Sequence, residues 1–152
     1  MEDYSKGQVL FWGGGFDCLS NFSAYKIKYK GDEWMTSEHA YQAAKFTNKE
    51  IIEKIKNAPS AMDAFLLGRK FMTEYKKDWF DIRVEVMEDI VRAKLSQHPY
   101  IQKKLLESGE REIIEASPED AFWGWGPNKD GENQMGKIWM KLREELKSNG
   151  RI

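Results

Sequence analysis

Trp34-Met35-Thr36-Ser37-Glu38-His39-Ala40-Tyr41-Gln42-Ala43-Ala44-Lys45-Phe46 is the stretch where this sequence changes from strand-like to helix-like patterning. Thr36 or Ser37 offers a side-chain oxygen to the free amides of a first helical turn. Glu38 then sets a negative charge at the positive end of the helix dipole. The spacing predicts a helix from there to about Phe46. Residues seven apart on a helix lie about 10 Å apart along the axis on nearly one face. Glu38, Tyr41, Gln42 and Lys45 therefore share a stripe, while Ala40, Ala43 and Ala44 fall to the side where small residues permit close packing. Such a stripe is either a solvated polar face, the common case, or an acid and an amine that hold opposite ends of a sugar-sized ligand.

Upstream of this helix the chain reads as non-helical. Gln8, Val9, Leu10, Phe11 and Trp12 form a mostly apolar run that Gly13-Gly14-Gly15 closes, as a strand running into a turn. Tyr25, Ile27 and Tyr29 alternate with Lys26, Lys28 and Lys30, a period of two that predicts a half-buried strand ended by Gly31-Asp32. Glu33-Trp34-Met35 is then a short hairpin partner. Downstream, helices dominate. Asn48 can cap a second helix through Ile51, Ile52 and Ile55. Ser60 can cap a third, with Met62, Phe65 and Leu66 on one face and Gly68 near its end. From Asp78, the residues Trp79, Ile82, Val86 and Ile90 form one apolar stripe, and Phe80, Val84, Met87, Val91 and Leu95 form a second beside it. Pro99 suits the first turn of a helix through Ile101, Leu105 and Leu106 that stops at Gly109. Ile113-Ile114 is a short strand, Trp123 to Gly131 a glycine-rich loop, and Asn133 to Leu146 a closing helix with Met135, Ile138, Trp139 and Leu142 inward. The sum is a mainly helical α+β chain with a small N-terminal antiparallel β element.

A length of 152 residues fits one domain, spanning 1–152, with enough chain to bury a core. Lys and Arg number 24 against 25 Asp and Glu, a net charge of -1 that excludes a broadly basic nucleic-acid coat. Mean hydropathy is -0.70, which argues against a membrane span. The N-terminal MEDYSKGQVLFW starts acidic and lacks a signal-peptide hydrophobic stretch. The single cysteine, Cys18, excludes an intramolecular disulfide and a cysteine zinc cluster. A reducing, cytoplasmic location is expected. The two histidines, His39 and His98, have no ligand spacing, so no metal is expected. Ser37 lacks the strand–turn–helix elbow of a hydrolase nucleophile, and the Gly13–Gly15 run lacks dinucleotide-fingerprint spacing. The remaining oddity is 13% aromatic residues, six of them Trp, in so hydrophilic a chain. Trp79, Phe80 and Trp139 fall on core stripes. Trp34, Tyr41, Phe46, Trp123 and Trp125 cluster in polar or glycine-rich strings, where flat walls can stack a base.

Several of these strings together resemble the NADAR family of YbiA-like proteins. They are GGFDCLSNF (14–22), WMTSEHAYQAAKF (34–46), Leu67-Gly68-Arg69, Trp79 with Arg83 and Met87, Ala93-Lys94, IEASPEDAFWG (114–124) and GENQMG (131–136), in the family order and over nearly the whole chain. The resemblance implies a single mainly helical α+β domain and N-glycosidase chemistry on ribosyl conjugates, with no cofactor. Two substrate classes go with the family. One is phosphorylated ribosylamino-pyrimidine intermediates of riboflavin synthesis, and the other is ADP-ribose on guanine in DNA. Carried over by position, the resemblance makes Glu38 and Lys45 the reactive pair. It makes Asn21, Phe22, Tyr41, Arg69, Asp120, Trp123 and Asn133 pocket or supporting residues. Trp125 departs from the less aromatic residues usual after that Trp-Gly.

Both substrate classes join ribose C1 to an exocyclic amine, which can open to an imine. A neutral Lys45 can attack C1 and exchange imines, and Glu38 can shuttle protons. That requires the lysine pKa to fall from about 10.4 towards 7, through burial against Phe46 or Trp123 or through a nearby cation. The competing route is departure through an oxocarbenium ion, with Glu38 activating water and Lys45 binding phosphate. Outside enzyme chemistry, the alternatives are a non-catalytic ADP-ribose or NAD-binding module and a nucleic-acid scaffold. An intact Glu38–Lys45 pair argues against the first, and the near-neutral charge against the second.

Overall fold

In the computed structural model, which describes residues 7–152, the chain builds two compact units. One comprises the residues up to Ser20 together with His98–Ile152, and the other is Asn21–Gln97. The reading of residues 1–6 lies outside the described residues.

The Asn21–Gln97 unit begins with a hairpin of β2 (Ile27–Tyr29) and β3 (Asp32–Trp34), preceded in the chain by β1 (Gln8–Phe11). Tyr29 pairs with Asp32, so the loop is the two residues Lys30 and Gly31. Both have positive φ, 50° and 84°, as the I′ family of two-residue hairpin loops demands. Four helices follow: α1 (Ser37–Ala44), α2 (Lys49–Lys56), α3 (Ala61–Lys70) and α4 (Trp79–Gln97). Each of the first three starts at a side-chain cap, Thr36, Asn48 and Ser60, accepting from amides of its first turn. The helix α1 packs against α2, α3 and α4, and α4 also packs on β2.

The other unit pairs β1 with β4 (Glu112–Glu115) in parallel, from Gln8↔Glu112 to Phe11↔Glu115. The helix α6 (Gln134–Asn149) covers β4, and α5 (Pro99–Glu107) lies beside α6. Val9, Phe11, Ile113, Trp139 and Leu142 are fully buried there. Buried Arg143 ties α6 to the end of α5, its Nη1 donating to Ser108 Oγ (2.9 Å) and to the Arg111 carbonyl (2.8 Å).

The mixed, mainly helical architecture with its small antiparallel element agrees with the reading of the sequence. Four details differ. The strands at Gln8 and Ile113 pair with each other, in parallel, across a separation of 104 residues that no local pattern reveals. Phe80 is exposed rather than in the core. The inward stripe of α4 runs through Trp79, Met87, Ile90, Val91, Lys94 and Leu95, so the residue next to Trp79 points about 100° away from it. Met62 and Leu66 are also exposed, because α3 turns its small residues Ala61, Ala64 and Gly68 inward. Trp12 and Leu106 are likewise exposed. Trp12 follows the last residue of β1, and Leu106 is one step round α5 from the fully buried Leu105.

Candidate active site

The helix α1 is buried all round. Its residues from Ser37 to Ala43 are all buried, although Ser37, Glu38, His39 and Gln42 are polar. Buried polar groups are costly unless bonded, and most of the bonds are on view, with Gln42 Oε1 left without a partner among the described residues. The Thr36 hydroxyl accepts from the His39 amide (3.2 Å) and lies 2.7 Å from His39 Nδ1. His39 Nε2 lies 3.0 Å from the Ala58 carbonyl. A carbonyl only accepts, so Nε2 carries a proton. His39 thus clamps the start of α1 to the α2–α3 connection.

Glu38 is 6% exposed, and its Oε1 accepts from Gln42 Nε2 at 2.8 Å, one turn along α1. Asn21 holds the same end of the helix. Its carbonyl accepts from the Glu38 amide (3.1 Å), its Oδ1 accepts from Ser37 Oγ (3.0 Å), and its Nδ2 donates to Met87 Sδ (3.2 Å). Gln42 is in turn fixed by α3. A β-carbon at Gly68 would fall 2.0 Å from Gln42 Oε1, so any larger residue there must displace the Gln42 amide.

Lys45 ends α1 as its C-cap. Its Nζ lies 5.2 Å from the centre of the Tyr41 ring, 4.9 Å from Tyr75 and 6.0 Å from Trp79, and donates to Tyr75 Oη at 3.3 Å. Burial among these rings lowers its pKa to about 8. The Glu38 carboxylate opposes that shift, and the Arg83 guanidinium reinforces it. Tyr41 and Trp79 stack at 5.3 Å, and Tyr75 meets Phe46 edge-on at 5.4 Å. The Lys45 carbonyl accepts from the Lys76 amide (2.8 Å), which fixes the Tyr75 segment against the end of α1. Burial raises the Tyr75 pKa, and Arg69 pulls against that rise.

Of the other expected residues, Arg69 is exposed in the last turn of α3, and Phe22 is 42% exposed with its ring 6.4 Å from Phe65. Asp120, Trp123 and Asn133 belong to the other unit. Asp120 Oδ1 accepts from the amides of Phe122 (2.9 Å) and Trp123 (2.8 Å), building the loop. Trp123 meets Phe122 edge-on at 4.9 Å. Asn133 adopts a left-handed conformation before α6 and bonds both ways along β4, Nδ2 to the Ile113 carbonyl (2.9 Å) and Oδ1 from the Glu115 amide (3.0 Å). Trp34 donates from Nε1 to the Tyr29 carbonyl (3.4 Å), within its own hairpin.

The rings of Tyr41, Tyr75 and Trp79 stand around Lys45, and the expected Phe46 packs against Tyr75. Tyr75 and Arg83 went unassigned in the sequence. Tyr75 lies in no motif. Arg83 carries a readable signal, being a cation spaced four residues from each of the inward-facing Trp79 and Met87.

Comparison with known proteins agrees with this architecture. The chain is 44% identical over 131 residues to a riboflavin biosynthesis protein of Vibrio vulnificus, covering 86% of this chain and 36% of that much longer protein. It is 39% identical over 128 residues to the N-glycosidase YbiA of Shigella boydii, covering 84% and 80% of the two chains. The solution structure of Escherichia coli YbiA superposes with a TM-score of 0.87 at 34% identity, covering 99% of this chain and 89% of that one. Fold and sequence thus define an enzyme of the YbiA-type N-glycosidase class. The chain belongs to the NADAR domain family, whose model matches residues 10–147.

Proposed function

We propose that this chain acts as one NADAR domain that hydrolyses the bond between ribose C1 and an exocyclic amine, through a Schiff base on Lys45 with Glu38 as proton shuttle. The observation that carries this reading is Lys45 itself, an amine walled by three aromatic rings with a pKa near 8. A lysine that only gripped phosphate gains nothing from losing its charge, whereas a nucleophile requires the neutral amine. Glu38, anchored by Gln42 and by the Asn21-bound helix start, is held for proton transfer to the ring oxygen and the amines. Asn21 and Gln42 act as positioning residues. Tyr41 lines the lysine, Phe22 and Arg69 contact substrate, and Asp120, Trp123 and Asn133 take supporting roles within the other unit.

The substrate read first is a phosphorylated ribosylamino-pyrimidine, supported by the Vibrio vulnificus relative's riboflavin biosynthesis name. ADP-ribosylated guanine in DNA is the second, since it presents the same C1–amine bond. No described helix is long and apolar enough to cross a membrane, and we take the enzyme to act in the cytoplasm on a soluble conjugate or on DNA. The decisive experiment offers both substrates and measures release of ribose 5-phosphate or ADP-ribose, with borohydride added during turnover. The expected result is release from one substrate and a reduced adduct at Lys45 by mass spectrometry. Turnover without an adduct at Lys45 would sink the imine route in favour of water activated by Glu38. Binding without turnover, unchanged in Glu38→Gln, would make the domain a reader.

A further inference from the structure

Transimination at Lys45 needs a second proton carrier beside the nitrogen. When the neutral amine attacks the opened substrate, a protonated C1=NH⁺ iminium, an Nζ–C1 bond forms and the C1=N π pair moves to the exocyclic nitrogen, which becomes neutral. Nζ is then cationic. For the exocyclic amine to leave, Nζ must lose one proton and the leaving nitrogen must gain one. The Glu38 carboxylate is engaged by Gln42, whereas Tyr75 Oη is bonded to Nζ itself. A carboxylate against Nζ would also keep the lysine charged, as the opposing effect of Glu38 on its pKa already shows.

We propose that Tyr75 is a catalytic residue, relaying the proton that Lys45 loses to the amine that departs. This rests on the reading of Lys45 as the nucleophile. Tyr75 Oη accepts from Nζ at 3.3 Å. In the tetrahedral intermediate both nitrogens hang on one carbon, so a single oxygen can bridge them. The Nζ–H proton passes to Oη while the phenolic proton passes to the exocyclic nitrogen. The C1–N bond then breaks, its electron pair leaving with the neutral amine, and a C1=Nζ iminium remains. The phenol ends as it began, and the positive charge is conserved. Water addition and release of Lys45 use the same relay in reverse order.

The surroundings suit this task. Tyr75 is held edge-on to Phe46 and tied to the end of α1 by the Lys76–Lys45 backbone bond, so the contact is in place before substrate arrives. A neutral phenol next to Nζ leaves the amine free to lose its charge. The charged groups that act on the pair are Glu38 and Arg83 on Lys45 and Arg69 on Tyr75. Burial keeps the phenol protonated, and Arg69 limits how far its acidity is suppressed.

The test compares wild type, Tyr75→Phe and a set of chains carrying fluorinated tyrosines of graded acidity at position 75. The probe is a ribosylamine 5-phosphate with an aromatic exocyclic amine, with borohydride trapping run in parallel. The expected result is a fall in kcat of about 10²–10³-fold in Tyr75→Phe, with KM within about twofold, an adduct still trapped at Lys45, and rates that track phenol acidity across the fluorinated set. A Tyr75→Phe rate within about threefold of wild type, with the Lys45 adduct present, overturns the relay alone. A slowed Tyr75→Phe with a flat fluorinated series also overturns it, since the hydroxyl would then only position Lys45. No adduct in wild type removes the nucleophile, and the relay with it.

Discussion

A lysine with a pKa near 8 is neutral in about one chain in ten at pH 7. If that fraction limits the reaction, kcat/KM rises about tenfold per pH unit below pH 7 and levels off above about 8, measurable as a pH–rate profile. In Arg83→Gln the cation that helps lower the Lys45 pKa is gone, so the rising limb should shift to higher pH. The same group bears on stability. The unfolded lysine holds its proton up to about 10.5 and the folded one only to about 8. The unfolded state therefore binds more protons between those values, and stability should climb with pH across that window. Below it the full cost of the buried charge stands, about 3 kcal/mol at most. Lys45→Met should abolish turnover and stabilise the fold at pH 7 by about 1–3 kcal/mol in urea unfolding. The shared stripe of Glu38 and Lys45 was legible because a seven-residue spacing on one helix is a local fact, whereas their reading as a reactive pair came from the family resemblance. Tyr75 and Arg83 join them from 30 and 38 positions further on, which no periodicity predicts, and Trp79 hid among ordinary core residues because its stripe is also a packing stripe.

The contact between α1 and α3 is where packing and chemistry meet. Gly68 leaves room for the Gln42 amide, and Gln42 holds Glu38. Gly68→Ala should therefore cost about 1–3 kcal/mol by overpacking and also lower kcat, because the displaced amide no longer holds the carboxylate. Urea titration reads the first effect and steady-state kinetics the second. A loss of stability with kcat untouched would break the link between Gln42 and catalysis. At this scale the sequence spoke clearly through chemistry at helix ends. Thr36, Asn48 and Ser60 were readable as caps, and Pro99 as a first-turn residue, because each acts on its own next few residues. It left open which side of α3 faces inward. Met62 and Leu66 look like the core face by size, but close approach of α1 favours Ala61, Ala64 and Gly68. Size alone does not decide burial where backbones come near.

The Asn21–Gln97 unit is one continuous piece of chain made of local helices, whereas the other unit is closed by β1 and β4 from distant parts of the sequence. Low contact order favours fast folding. In pulse-labelled hydrogen exchange the amides of α1 to α4 should gain protection before those of Val9 to Phe11 and Ile113 to Glu115. Simultaneous protection would mean that the two units fold as one. The parallel pairing also sets a timetable during synthesis. A ribosome adding about 5–20 residues each second takes roughly 5–20 s to travel from β1 to β4. Throughout that interval Val9 and Phe11 have no partner strand, and an unpaired apolar edge invites pairing with other chains. The nascent chain is thus exposed to aggregation throughout that interval, and chaperones that shield β1 gain a defined period in which to act.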